Sequence, residues 1–227
     1  MKLNIAYLYY DLLNLYGENG NILALINHIT HQDIKVNIDY ISLGDKINFK
    51  KYDLVYIGSG TDNNLLLALE DLKKYKDDIK DYIENNNFLL STGNSIELFG
   101  SYIFNKKKIE CLNIFDYYTS YEENRIVKDV KYKCKISKDY IIGFENHKGK
   151  TVSNENNFLY RDDEIEGIIY KSFIGTYVIG PLLIRNPKFC EHYIKTLINT
   201  KNNKFKFKKF DFELEKQAYK KAVELLR

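Results

Sequence analysis

Residues 88–100 read Phe-Leu-Leu-Ser-Thr-Gly-Asn-Ser-Ile-Glu-Leu-Phe-Gly. Phe88-Leu89-Leu90 is a short apolar run that ends in the turn-forming stretch Ser91-Thr92-Gly93-Asn94-Ser95, after which Ile96, Leu98 and Phe99 begin a helix. A strand, a sharp glycine turn and a helix in this order outline a nucleophile elbow, and equally a plain tight turn between strand and helix. Upstream, Tyr52 to Ile57 is a second apolar run that stops at Gly58-Ser59-Gly60-Thr61-Asp62. Between the two, residues 63–84 carry Leu65, Leu66, Leu69, Leu72, Tyr75, Ile79, Tyr82 and Ile83 at helical spacing. Leu3 to Tyr9 reads as a buried strand, a helix is expected from Asn21 to about His31, and Val36 to Leu43 alternates as a strand. Strands alternating with helices imply right-handed crossovers and a mostly parallel sheet, so the first half is α/β.

From Ile109 the pattern changes to β-rich segments with short connections, which adds strands, some of them antiparallel, before a helix at residues 187–200. The alternating Lys and Phe of residues 201–209 fit an edge strand with one apolar and one charged face. A last helix is expected from about Asp211 to Leu226, with Phe212, Leu214, Ala218, Ala222, Leu225 and Leu226 on one face. No repeat and no linker rich in Pro, Gly or Ser interrupts the 227 residues, so one domain over residues 1–227 is expected.

Composition narrows the function classes. With 44% apolar, 15% aromatic and 29% charged residues the chain is too hydrophobic for intrinsic disorder. The formal charge of +3 is the small remainder of 34 basic and 31 acidic side chains, too weak for a nucleic-acid footprint. No stretch approaches the ~18 uncharged apolar residues of a membrane span, and the N-terminus lacks a small-residue cleavage site, so a cytoplasmic protein is expected. Cys111, Cys134 and Cys190 lie far apart without CxxC spacing, which indicates neither a zinc site nor a disulfide framework. Cys111 and Cys190 read as small packing residues, and Cys134 as an inward strand position.

Five segments in order carry a resemblance: residues 8–25 (LYYDLLNLYGENGNILAL), 53–62 (DLVYIGSGTD), 93–100 (GNSIELFG), 142–151 (IGFENHKGKT) and 166–187 (EGIIYKSFIGTYVIGPLLIRNP). Together they resemble class I glutamine amidotransferase domains of the cobyric acid synthase type, and among these the glutaminase subunits of lipid II isoglutaminyl synthases. The resemblance implies a three-layer α/β sandwich, a Cys–His pair that hydrolyses glutamine, and a Mur-ligase-like synthetase partner that receives ammonia. No cofactor or metal is implied.

The chain departs from that pattern at both chemical positions. Active members carry an elbow of the form CGGYQLLG and a histidine in a YLHGPLLP-like stretch. Here Gly93 stands at the nucleophile position and Ile179 at the histidine position, with the GTY and GPLL sequences fixing the register on both sides of Ile179. A thiolate must attack the amide carbon and an imidazole must handle its proton, and Gly and Ile do neither. Losing one member of such a unit costs roughly 10⁴- to 10⁶-fold in rate.

Thr92, Ser95 and His147 remain as substitute catalytic candidates, although a hydroxyl nucleophile needs an adjacent base. His147 also reads as a structural hydrogen-bonding residue at a strand end, and His28, His31 and His192 as solvent-facing helix positions. Glu145 and Asn146 read as fold-stabilising. Gly58, Ser59 and Gly60 match the glycine-rich oxyanion-side loop, and with Asn94 and Arg125 they form the candidate ligand-binding set for glutamine or a related amide. Three readings follow: a non-hydrolysing binding or scaffolding subunit, an active glutaminase with an unrecognised nucleophile that supplies ammonia for amidating a peptidoglycan precursor, and a small-ligand sensor.

Overall fold

The computed structural model of the chain describes residues 1–153 and 156–226. Its first half alternates strands and helices: β1 (Lys2–Leu8), α1 (Asn19–His31), β2 (Lys35–Ile41), β3 (Leu54–Ile57), α2 (Asp62–Leu72), α3 (Lys76–Glu84) and β4 (Phe88–Thr92). Seven strands follow, β5 (Tyr102–Asn105), β6 (Lys107–Glu110), β7 (Tyr117–Cys134), β8 (Tyr140–Ser153), β9 (Asn157–Arg161), β10 (Glu164–Tyr170) and β11 (Phe173–Thr176). The helices α4 (Leu182–Arg185), α5 (Pro187–Lys201) and α6 (Glu213–Leu225) close the chain.

One sheet runs through both halves in the order β2-β1-β3-β4-β11-β10-β9-β7-β5-β6, with β8 paired to β7. The pairs from β2 to β11 are parallel, and the strands beyond β11 are mainly antiparallel, as expected of the two halves. Side chains alternate across the sheet: Leu3, Ile5 and Tyr7 of β1 join the core beneath α1 and α5, while Ala6 and Leu8 join the one beneath α2 and α3. Two apolar cores on the two faces of one sheet make the three layers.

Five local expectations change. The single helix over 63–84 is two, separated by a 3-10 turn at Lys73–Tyr75, where the Tyr75 hydroxyl donates to Asp45 O and accepts from Ile47 N. Residues 93–99 form a 3-10 segment rather than the start of an α-helix. The carbonyls that would continue a helix are taken elsewhere: Ile96 O by the Tyr117 hydroxyl, Leu98 O by Leu112 N, and Phe99 O by Ile114 N. The Lys/Phe stretch forms no strand among the described residues. Its backbone is held by side chains instead, Lys208 N donating to Gln32 Oε1 and Gln32 Nε2 to Lys208 O, while Phe205, Phe207 and Phe210 pack on the α1–α5 core. His28 is buried rather than solvent-facing, stacked on Phe212 at 3.8 Å and paired with Glu215 at 2.9 Å. The face of α6 turned to the body therefore runs through Glu215, Tyr219 and Val223, leaving Leu214 and Leu225 exposed. All three cysteines are buried and free, as their packing roles require.

Candidate active site

Three chain segments converge at the carboxyl ends of parallel strands, where open α/β sheets collect ligands. They are Gly58–Gly60 after β3, the elbow after β4, and Tyr177–Gly180 after β11. Gly93 adopts φ +67, the left-handed backbone that an L side chain holds only under strain. The elbow geometry is therefore present although its residue has no side chain. A β-carbon placed on Gly93 would fall 2.4 Å from Ser59 Cβ, 2.5 Å from Ser59 Oγ and 3.0 Å from Ile179 Cγ2. The nucleophile and histidine positions named from the sequence face one another, and Ser59 fills the space a side chain at residue 93 would take. Ile179 is held by a two-way backbone pair with Phe144, Ile179 N to Phe144 O at 2.9 Å and the reverse at 3.2 Å.

Beneath the elbow lies a buried polar network that sequence reasoning did not single out. Glu18, fully buried just before α1, accepts from the Tyr56 hydroxyl at 2.5 Å and from Thr92 Oγ1. Asn21 Nδ2 donates to the same Tyr56 hydroxyl, and Asn21 Oδ1 accepts from Leu183 N, so α1, β3, β4 and the start of α4 are joined through these groups. Burial pushes the Glu18 carboxyl up to about 7, against the opposing pull of the Thr92 and Tyr56 hydroxyls. Gly58 packs here as well, since a β-carbon on it would meet Leu13 O at 2.4 Å. The motif YGEN carried Glu18 in plain view, but nothing local marks a loop glutamate as buried.

Thr92 and Ser95 are both fully buried. Thr92 Oγ1 is committed to Glu18 and lies 2.8 Å from the Tyr56 hydroxyl. Ser95 Oγ lies 2.7 Å from Ser91 Oγ and donates to Thr92 O and Ile57 O. Asn94 fastens the glycine loop to the elbow: its Oδ1 accepts from Gly60 N and from Ser59 Oγ, both at 3.1 Å, and its Nδ2 donates to Gly60 O at 2.9 Å. The Gly60 amide, an oxyanion-hole donor in the elbow reading, is thus occupied by a side chain.

Above Asn94 opens a cavity of about 490 Å³. Gly60, Asn94 and Arg125 of the candidate ligand set line it together with His147, Asp62 and Glu97, whereas Gly58 and Ser59 pack beneath. Arg125 is aimed by two bonds from Nη1, to Asn146 Oδ1 at 2.8 Å and Asn146 O at 3.1 Å. Asn146, read as fold-stabilising, thereby positions the cavity's guanidinium. Burial pushes Glu97 up to about 8, and the Tyr177 hydroxyl donates to it at 3.2 Å. His147 stacks on Tyr177 at 3.8 Å and sits with Nδ1 2.7 Å from Gly149 O. The cavity offers both signs of charge, suited to a small zwitterion or amide, and no hydroxyl or thiol at residue 93. None of the three cysteines lines it, and burial pushes the Cys111 thiol up to about 12.

Residues 4–187 match the CobB/CobQ-like glutamine amidotransferase domain. The chain is similar to the GatD subunit of the glutamine-hydrolysing lipid II isoglutaminyl synthase of Streptococcus pneumoniae, 32% identical over 213 residues that cover 88% of this chain and 82% of that one. It is 33% identical over 233 residues to the corresponding subunit of Staphylococcus aureus, covering 96% and 93% of the two chains. A crystal structure of a glutamine amidotransferase superposes with TM-score 0.55 at 9% identity, over 85% of this chain and 98% of the other, a likeness of fold alone. Fold, elbow geometry and these similarities agree, and the chain belongs to the CobB/CobQ-like glutamine amidotransferase family.

Proposed function

We propose that this chain is a glutaminase-inactive member of its family, one domain that serves as the binding or scaffolding subunit of a Mur-ligase-like amidating synthetase working on free ammonia. The observation that carries the reading is the contact of Ser59 and Ile179 with the empty side-chain position of Gly93. A thiol there would need both a β-carbon and room for sulfur, and the base that would activate it is an alkyl group. The substitute nucleophiles support the same reading. Thr92 and Ser95 spend their hydroxyls on buried partners, and neither lines the cavity. His147 lines the cavity without a nucleophile beside it.

The partner follows by similarity: GatD relatives are subunits of a lipid II isoglutaminyl synthase, and this chain covers most of their length. A retained cavity with Arg125 held in place favours an accessory role, binding glutamine or a related amide as a signal rather than as a substrate. Affinity purification of the chain from its native cell tests the assignment. A Mur-ligase-like protein recovered with it, in a complex that amidates with ammonium but not with glutamine, is the expected result. Glutamine-driven amidation by that complex contradicts the inactive reading, and recovery without a ligase contradicts the partner.

A further inference from the structure

A second cavity, of about 780 Å³, is also lined by His147. Its polar wall is built by Glu145, Glu166, Glu164, Tyr132 and Lys128, and Ile96, Ile126, Ile165 and Ile168 supply an apolar wall. Glu145 and Glu166 are buried, at 3% and 8% exposure. Glu145 accepts from the Tyr132 hydroxyl at 2.9 Å, and Glu166 accepts from Thr176 Oγ1 at 2.7 Å and Tyr177 N at 2.6 Å. Each carboxylate oxygen can accept a further bond.

Lys128 bonds Glu164 at 2.6 Å and lies 3.5 Å from Glu145, and Arg161 also bonds Glu164 at 2.6 Å, so both cations serve Glu145 and Glu164, and Glu166 has no ion pair among the described residues. Glu122, Glu123 and Lys150 also line the cavity. Burial and the neighbouring Glu145 push Glu166 up to about 8, so a cation placed beside it favours its ionised form.

His147 supplies an independent observation. Its Nδ1 lies against Gly149 O, and a carbonyl only accepts, so Nδ1 carries the ring proton. In the neutral ring Nε2 is then a bare acceptor. It is buried with no hydrogen-bond partner among the described residues, and it faces Glu145 Oε2 at 3.7 Å. An unpartnered ring acceptor facing a carboxylate oxygen whose nearest cation, Lys128 Nζ, stands 3.5 Å away calls for a donor that brings positive charge and several N–H bonds.

We propose that the cavity walled by Glu145, Glu166 and His147 binds a primary ammonium group carried on a short alkyl chain, the head between the three acceptors and the chain along the isoleucine wall. The ammonium head supplies donors to His147 Nε2, Glu145 and Glu166. Ile96 and Tyr177 bring this cavity against the elbow, but its occupation does not depend on whether glutamine is hydrolysed.

Calorimetric titration of the full chain at fixed ionic strength with n-butylammonium, ammonium and tetramethylammonium chlorides tests the proposal. Saturable binding of n-butylammonium is expected, at least 10-fold tighter than ammonium, with none for tetramethylammonium, which has no N–H to donate. Glu166→Gln is expected to weaken n-butylammonium at least 10-fold. On the unsubstituted chain, ¹⁵N spectra of the histidine rings are expected to show His147 Nε2 unprotonated and shifted by n-butylammonium. Equal binding of all three cations, binding untouched by Glu166→Gln, no saturable binding at all, or an imidazolium at His147 in the free protein each overturn the proposal. The ring spectra decide even where the variant does not fold.

Discussion

Ser59 and Gly93 are locked together: Ser59 Cβ occupies the space 2.4 Å from where a β-carbon on residue 93 would lie. The pair is closely packed, because any side chain introduced at position 93 must displace the loop after β3.

Restoring sulfur alone should therefore fail. Gly93→Cys places an L residue at φ +67 and overpacks Ser59, so a stability loss of roughly 2–5 kcal/mol by urea unfolding is expected, with no ammonia release. Ser59→Gly in the same chain should recover part of that loss. A double-mutant cycle is expected to show coupling of about 1 kcal/mol or more, and additive effects would mean that the two residues do not meet.

Glu18 makes stability depend on pH in an unusual direction for a carboxyl. Its folded-state affinity is raised to about 7, so the folded chain holds a proton that the unfolded chain releases near 4.5. The stability tied to that proton is fully present below about pH 4.5 and is lost as pH rises through about 7, a swing on the order of 3 kcal/mol. Glu97 and Glu166, raised to about 8, act in the same sense and carry the decline further. Unfolding free energies at pH 5.5 and 8 should differ in favour of the acid side, and Glu18→Gln should flatten the difference. An unchanged slope in the variant would remove Glu18 as the source.

Ligand binding at the upper cavity should require the guanidinium that Asn146 aims. Arg125→Met is expected to abolish any calorimetric signal from glutamine or glutamate while moving Tm by only a few degrees, because Arg125 is exposed. Asn146→Ala should weaken the same signal about 10-fold by releasing the side chain. Retained affinity in Arg125→Met would place the ligand elsewhere.

The C-terminal helix α6 is tied to the body through Phe212 and Glu215 on His28. Phe212→Ala should cost about 1–3 kcal/mol and expose residues 205–226 to limited proteolysis before the rest of the chain. Uniform digestion of the variant would contradict this anchoring.

What was legible in the sequence was whatever local periodicity encodes. The alternation of strands and helices, the two glycine turns and the inward Cys134 needed only nearest neighbours along the chain. The facing of Gly93 and Ile179 was legible only because motifs fixed both registers, since the contact itself forms when β11 inserts beside β4. Glu18, His28 and the Lys/Phe stretch were misjudged or missed for one shared reason. Each owes its environment to a distant segment, Tyr56 and Thr92, Phe212, or Gln32. The 3-10 turn at 93–99 likewise follows from the loop at 112–115 capturing its carbonyls.

Ammonia release from glutamine by the purified chain, measured alone and with a Mur-ligase-like partner against a no-protein control, is the most direct test. Silence of the elbow predicts a rate equal to the control in both settings. A rate clearly above it that disappears on substituting Thr92, Ser95 or His147 would contradict the account and restore this chain to the glutaminases.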